Sequence, residues 1–130
     1  MSHHVSKQVH EKFKVFSGEL SADGTIGKLA DEVSAFTHQS KVAPKSIGIA
    51  YLEHGNRLVI SMGYRDDEEP YGVKLHSVRL GKIDIKDGHF AALEKKMGEA
   101  GAKYRDIICH ELYVTGENDF TVVVMTHEAK

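Results

Sequence analysis

Cys109, Glu111 and Tyr113 are the side chains of this chain whose types and spacing could support chemistry. They alternate along an apolar stretch typical of a strand, in which successive side chains point to opposite faces. The three therefore share one face and His110 lies on the other, so Cys109 and His110 cannot form a thiolate–imidazole pair. A carboxylate beside Cys109 would raise the thiol pKa rather than activate it. Glu111 and Tyr113 remain as the candidate pair for ligand binding or proton transfer.

Glu111 is the residue that the strand pattern explains least, because both faces of its strand are mostly apolar. Removing a carboxylate from water without a partner costs free energy. Glu111 is therefore paired with another group, raised in pKa, or directed at a cavity that receives a cation or polar ligand. The alternative is an exposed glutamate on an edge strand, since antiparallel sheets often leave one face in water.

The chain contains two similar halves, and each half reads as a strand, an amphipathic helix and a β-hairpin. We predict a flexible tail over residues 1–11 and a single domain over residues 12–130. The two β-α-β-β repeats are expected at about 12–65 and 74–128.

The two predicted helices each carry an apolar stripe at steps of three and four residues. Asp87 is a predicted N-cap for the second helix, and Gly101 is a predicted stop. The expected stripes are Ile26, Leu29, Val33 and Phe36 in the first helix, and Phe90, Leu93, Met97 and Ala100 in the second.

The predicted fold is α+β, with duplicated β-α-β-β units that form a curved, largely antiparallel six-stranded sheet. The two helices are expected on its outer face, and the curved face is expected to form a ligand cleft. Tyr51 occupies in the first hairpin a place similar to that of Tyr113 in the second. Flat apolar side chains could line the cleft for an aromatic ligand, with core packing as the alternative. These candidate walls are Tyr113, Tyr51, Tyr64, Phe16 and Met62.

The composition of this 130-residue chain limits which classes of partner are expected. Its formal net charge is −2, and 28% of its residues are charged. Its basic residues are scattered singly, so we expect no direct nucleic-acid partner. The single cysteine excludes an intramolecular disulfide, and the lack of a signal-like or membrane-length apolar run predicts a cytoplasmic protein without membrane contact. No histidine spacing is typical of a metal site, so no metal is predicted. No other cofactor is predicted either.

The triplet Glu111-Leu112-Tyr113, near the start of the last hairpin, resembles the E-x-Y element of the GyrI-like small-molecule-binding family. That family is built from two β-α-β-β units and shares its architecture with SOUL haem-binding proteins and with effector-binding domains of transcription regulators. The resemblance implies that Glu111 is the pocket acid and that Tyr113 lines the same wall. It implies a role in transcription regulation only through another protein, because no DNA-binding segment is present.

We therefore expect a stand-alone sensor or carrier of a cationic or polar aromatic molecule. One alternative is a small hydrolase or isomerase that uses Glu111 and Tyr113 as base and proton donor. Another is a structural or dimerisation domain whose cleft is filled by side chains. A homodimer or a protein partner stays open at this point.

Overall fold

The structure, a computed structural model, describes residues 11–88 and 90–128. The predicted tail therefore lies outside the described residues except for Glu11. The described residues contain six strands and two α-helices, and the order β-α-β-β occurs twice along the chain. The elements are β1 (Lys12–Glu19), α1 (Lys28–Ser40), β2 (Ala43–Leu52), β3 (Arg57–Arg65), β4 (Val73–Lys82), α2 (Ala91–Gly101), β5 (Ile107–Thr115) and β6 (Asp119–His127).

The strands form two three-stranded sheets in which all paired strands are antiparallel. In the first sheet β3 lies between β1 and β2, and in the second β6 lies between β4 and β5. This confirms the α+β class. The backbone ladders of the described residues stop at the edge of each sheet, whereas we predicted one sheet of six strands. The sheets meet where β2 lies against β5, and Cys109 packs there against the core that contains Ile47.

Helix α1 lies on the face that the two sheets share, which we call the inner face. It packs against β1 and β4, and its residues Leu29 and Val33 are buried in one core with side chains from both sheets. Polar contacts fix it to β4: the Ser34 hydroxyl donates to the Val73 carbonyl at 2.9 Å, and the Thr37 hydroxyl accepts from the Val73 N–H at 3.4 Å. Leu29, Val33 and Phe36 of the predicted stripe lie in α1, whereas Ile26 is buried in the same core but precedes the helix. The helix fills the inner face instead of covering an outer one.

Helix α2 packs on the other face of the second sheet, against β4 and β6. Leu93, Met97 and Ala100 belong to that core, as predicted. Phe90 does not: it is the N-cap residue and is 49% exposed. The prediction of an N-cap at Asp87 was also wrong, because residues Lys86–Gly88 form a 3₁₀ turn that ends in a positive φ of 74° at Gly88. An α-helix of L-residues cannot continue through that conformation.

The central strand β6 is buried on both faces, because its inner face belongs to the core that both sheets share and its other face packs against α2. Val123 and Met125 belong to the inner core, whereas Val122 and Val124 pack with α2. Continuous burial of this kind suits its run of valines, since such a strand needs apolar side chains on both faces.

A β-bulge at the start of β5 changes the face of one residue. The register shifts between Ile107 and Cys109, so that Ile107 pairs with Thr126 and Cys109 pairs with Met125. Simple alternation would place Ile107 on the same face as Cys109, but the extra residue moves it to the α2 side. From Cys109 onward the predicted alternation holds.

Candidate ligand-binding site

The predicted walls Phe16, Met62 and Tyr64 lie on the inner face of the first sheet. Met62 is fully buried and Phe16 is 8% exposed. Phe36 of α1 makes edge-to-face contacts with both Phe16 and Tyr64, at ring-centroid distances of 5.7 and 5.6 Å. Because α1 covers these three residues, their position favours the core-packing alternative.

Glu111 shares the inner face of β5 with Cys109 and Tyr113, as the alternation predicts. It is partly exposed and lies opposite Val123 of β6, and its side chain has no hydrogen bond or ion pair among residues 11–88 and 90–128. It lines neither the polar cavity nor the apolar groove described below. Burial raises the pKa of the neighbouring Cys109 thiol to about 11, and the Glu111 charge acts in the same direction. The thiol is therefore protonated and unreactive at neutral pH.

Two of the predicted tyrosines converge on one place. The buried Tyr113 hydroxyl donates a hydrogen bond of 2.6 Å to the Gly24 carbonyl, and burial raises its pKa to about 12. The Tyr51 hydroxyl donates one of 2.9 Å to Oδ1 of Asn56. Gly24 and Asn56 line the same cavity, so the tyrosines hold its walls from behind rather than forming them.

This polar cavity has a volume of about 210 Å³ and lies where the β1–α1 loop, the β2–β3 turn and the β5–β6 hairpin come together. Both halves of the chain contribute to it. Such a volume is below the roughly 300–1,000 Å³ of sites for drug-sized ligands, so it suits a small metabolite. Its lining residues are Leu20, Ser21, Ala22, Asp23, Gly24, Asn56, Arg79, Thr115, Asp119 and Thr121.

The β1–α1 loop is a tight turn that presents Asp23. Ser21 N–H bonds to the Thr25 carbonyl at 2.9 Å, and Gly24 N–H bonds to the Ser21 carbonyl at 2.9 Å. Asp23 accepts hydrogen bonds from the Thr25 hydroxyl at 2.6 Å and from its N–H at 3.1 Å, and these bonds lower the pKa of Asp23. The loop also needs Gly27, whose φ is 52° and where a Cβ would stand 2.2 Å from the Ser21 hydroxyl. Asp23 is thus held ionised at the cavity.

Arg79 and Asp119 form a pair in the lining of the same cavity, and the Arg79 guanidinium also helps to lower the pKa of Asp23. The Arg79 guanidinium donates to both Asp119 carboxylate oxygens, at 3.1 and 2.6 Å. This paired geometry lowers the pKa of Asp119. Two carboxylates and one guanidinium line the cavity, so it carries one negative charge in excess.

Substituting Asp119 tests this pairing by its pH dependence. A carboxylate with a lowered pKa in the folded state stabilises it above the unfolded-state pKa of about 3.9, and this stabilisation is lost as pH falls through the folded-state pKa. Asp119→Asn is expected to lower the melting temperature at neutral pH, with the difference from wild type shrinking below about pH 4. Glu117→Gln, at an exposed acid of the same turn, is the control. A pH-independent difference for Asp119→Asn would contradict the pairing.

Sequence reasoning did not find the charged residues of this cavity. Asp23, Arg79 and Asp119 are not among the site residues predicted above. The spacing of Asp23 and Thr25 is typical of a turn in which an aspartate bonds to the N–H two residues on, and it could have identified the loop. That this loop meets the β5–β6 hairpin depends on tertiary packing, which no local pattern encodes.

Comparison of the chain with protein-family models, with curated proteins and with solved structures gives no match. Within the part of the chain that the structure describes, no helix is long and apolar enough to cross a membrane. The same residues contain no group of three or more histidine, cysteine, aspartate or glutamate side chains placed to hold a metal ion.

Proposed function

We propose that this protein reversibly binds a small cationic, polar molecule in the polar cavity, as a sensor or carrier. The observation that carries the proposal is the cavity itself, which receives charged side chains from several segments and has an excess of one negative charge. A ligand ammonium group pairs with the Asp23 carboxylate, which already accepts two hydrogen bonds and keeps further acceptor capacity. Arg79 stays paired with Asp119 and excludes a second cation from that part of the cavity.

Asn56 provides the orienting polar group of the proposed site. Its Oδ1 accepts a hydrogen bond from the Tyr51 hydroxyl, so its amide NH₂ is the part that can donate to a ligand hydroxyl or carbonyl. Its backbone is also fixed, because Leu20 N–H donates to the Asn56 carbonyl at 3.0 Å. A fixed donor and a fixed carboxylate in one cavity select ligands that carry both a cation and a polar acceptor.

The acidic anchor expected at Glu111 is part of an alternative site in the same proposal. Glu111 is partly exposed, and no described residue pairs with it, so a cation could reach it from the side of β5. The polar cavity is the better candidate because it encloses a volume and holds several polar groups. The hydrolase or isomerase alternative is weaker, since the Tyr113 hydroxyl already donates its hydrogen bond to the Gly24 carbonyl and is not directed at a substrate.

We also propose that the chain is a duplicated β-α-β-β unit of the GyrI-like kind, with its two sheets forming one curved surface. The repeated element order supports this, as does the matching strand order, in which the third strand of each unit lies between the first and second. The contact of β2 with β5 supports the continuity of the surface.

Asp23→Asn is expected to weaken binding of tyramine, a cationic phenol, by roughly tenfold or more, because the charge-assisted bond to the ammonium is lost. Isothermal titration calorimetry measures the change. Asp84→Asn is the matched control, since Asp84 likewise bonds to the N–H two residues on, at 2.9 Å to Lys86, but lies outside the cavity. 4-Ethylphenol, which lacks the amine, should bind neither protein measurably.

Arg79→Gln tests whether the Arg79 charge opposes the binding of tyramine. Removing the guanidinium makes the cavity more negative, so tyramine is expected to bind more tightly than it does to wild type. Weaker binding to Arg79→Gln together with unchanged binding to Asp23→Asn would refute the proposed site.

A further inference from the structure

A second concave surface lies on the α2 side of the second sheet. This apolar groove has a volume of about 250 Å³ and runs between α2 and strands β5 and β6. It shares no lining residue with the polar cavity. Thr121 of the cavity and Val122 of the groove are neighbours in β6, and their side chains point to opposite faces of the sheet. The groove is lined by Met97, Gly98, Gly101, Ile107, His110, Val122 and Val124.

The groove exists because α2 covers only part of the sheet. α2 packs over β4 and β6, and β5 extends beyond it. Val122 and Val124 of β6 are 3% and 2% exposed and are core residues beside α2. The bulge in β5 turns Ile107 to this side, where it is 43% exposed. An apolar side chain is thus held at the rim of a preformed concavity.

Two glycines keep the helix side of the groove open. Glycine within a helix is destabilising relative to alanine, and it is commonly explained by a close approach of another element. That explanation fails at Gly98 and Gly101, where an added Cβ would meet nothing within 4 Å. Larger side chains at either position would occupy the space that the groove now provides.

We propose that the apolar groove binds a small, ring-bearing apolar molecule, with the His110 ring as its hydrogen-bonding group. The lining is otherwise aliphatic or glycine, which suits a flat apolar ligand with one polar atom. The volume fits one or two fused rings and is too small for a folded segment. A second copy of the chain is a poor occupant. A stable interface buries about 800 Å² per partner, and β5 offers such an interface only two exposed large hydrophobic side chains, Ile107 and Val114.

Indole is a suitable probe, since it is flat and apolar and has one N–H group. Isothermal titration calorimetry on the full chain is expected to show saturable binding to wild type and binding about tenfold weaker to Gly98→Leu. Glu99→Leu is the matched control, because it adds the same side chain at the next, exposed position, outside the groove, and should bind indole as wild type does. Gly101→Leu, one turn along, is the second variant if Gly98→Leu does not fold.

Several results would overturn the proposal. Equal indole affinity in wild type and in a folded Gly98→Leu or Gly101→Leu variant would place the indole elsewhere, and the absence of saturable binding to wild type would remove the site. Light scattering measures the oligomeric state of the same variants. A wild-type dimer that becomes a monomer in Gly98→Leu would mean that a second copy occupies the groove. Tyramine binding at the polar cavity should be unchanged in these variants, so failure here is distinguishable from failure of the proposed function.

Discussion

Replacing Leu29 by alanine is expected to lower the free energy of unfolding by about 2–5 kcal/mol, the range for removing a buried leucine side chain. Leu29 is 3% exposed and packs in the core that joins α1 to both sheets. Because a single cluster holds these elements, unfolding should stay cooperative, with one transition by circular dichroism and by amide exchange. Urea unfolding measures the change in free energy.

Glu32→Ala is the control, since Glu32 lies on the exposed side of the same helix. Its effect should stay within about 0.5 kcal/mol. A Leu29→Ala variant whose free energy of unfolding falls by less than about 0.5 kcal/mol would show that α1 is not part of the shared core. A variant that unfolds in two separate transitions would show the same.

Tyr113→Phe is expected to lower the free energy of unfolding by about 1–3 kcal/mol, because the Gly24 carbonyl loses its hydrogen bond while the ring stays buried. The same change should weaken tyramine binding, since the loop that presents Asp23 is no longer held against β5. Tyr51→Phe is the paired variant: its bond to Asn56 is near the surface and should be worth less than about 1 kcal/mol. Urea unfolding and calorimetry measure the two effects.

The informative result is which of the two tyrosine variants loses more stability. A larger loss of stability in Tyr51→Phe than in Tyr113→Phe would contradict the assigned burial. Unchanged tyramine affinity in a folded Tyr113→Phe would show that the position of the β1–α1 loop does not matter for binding.

Local sequence patterns predicted the elements well because each carries its own signal. The stripe of α1 at Leu29 and Val33 and the alternation of β5 from Cys109 to Tyr113 match the structure. The failures occur where one glycine or one extra residue changes the backbone. Gly88 ends the 3₁₀ turn before α2 begins, and the bulge before Cys109 turns Ile107 to the other face.

Tertiary placement was harder to predict than the elements. An amphipathic stripe shows that α1 is covered on one side but not which sheet covers it, so its insertion on the inner face could not be deduced. The same holds for the site. Tyr51 and Tyr113 were selected as ligand walls from their similar positions, and the structure shows them bonded to Asn56 and Gly24 behind the polar cavity.

The most direct test of the proposed site is a titration of the ¹⁵N-labelled protein with tyramine, followed by two-dimensional NMR of the backbone amides. The proposal predicts that the largest shifts occur at Asp23, Gly24, Asn56 and Thr115, from three segments that meet only at the polar cavity. Shifts centred on Glu111 and its neighbours in β5 would move the site to the alternative anchor. A spectrum that tyramine leaves unchanged would contradict the proposal that this chain binds small cationic molecules there.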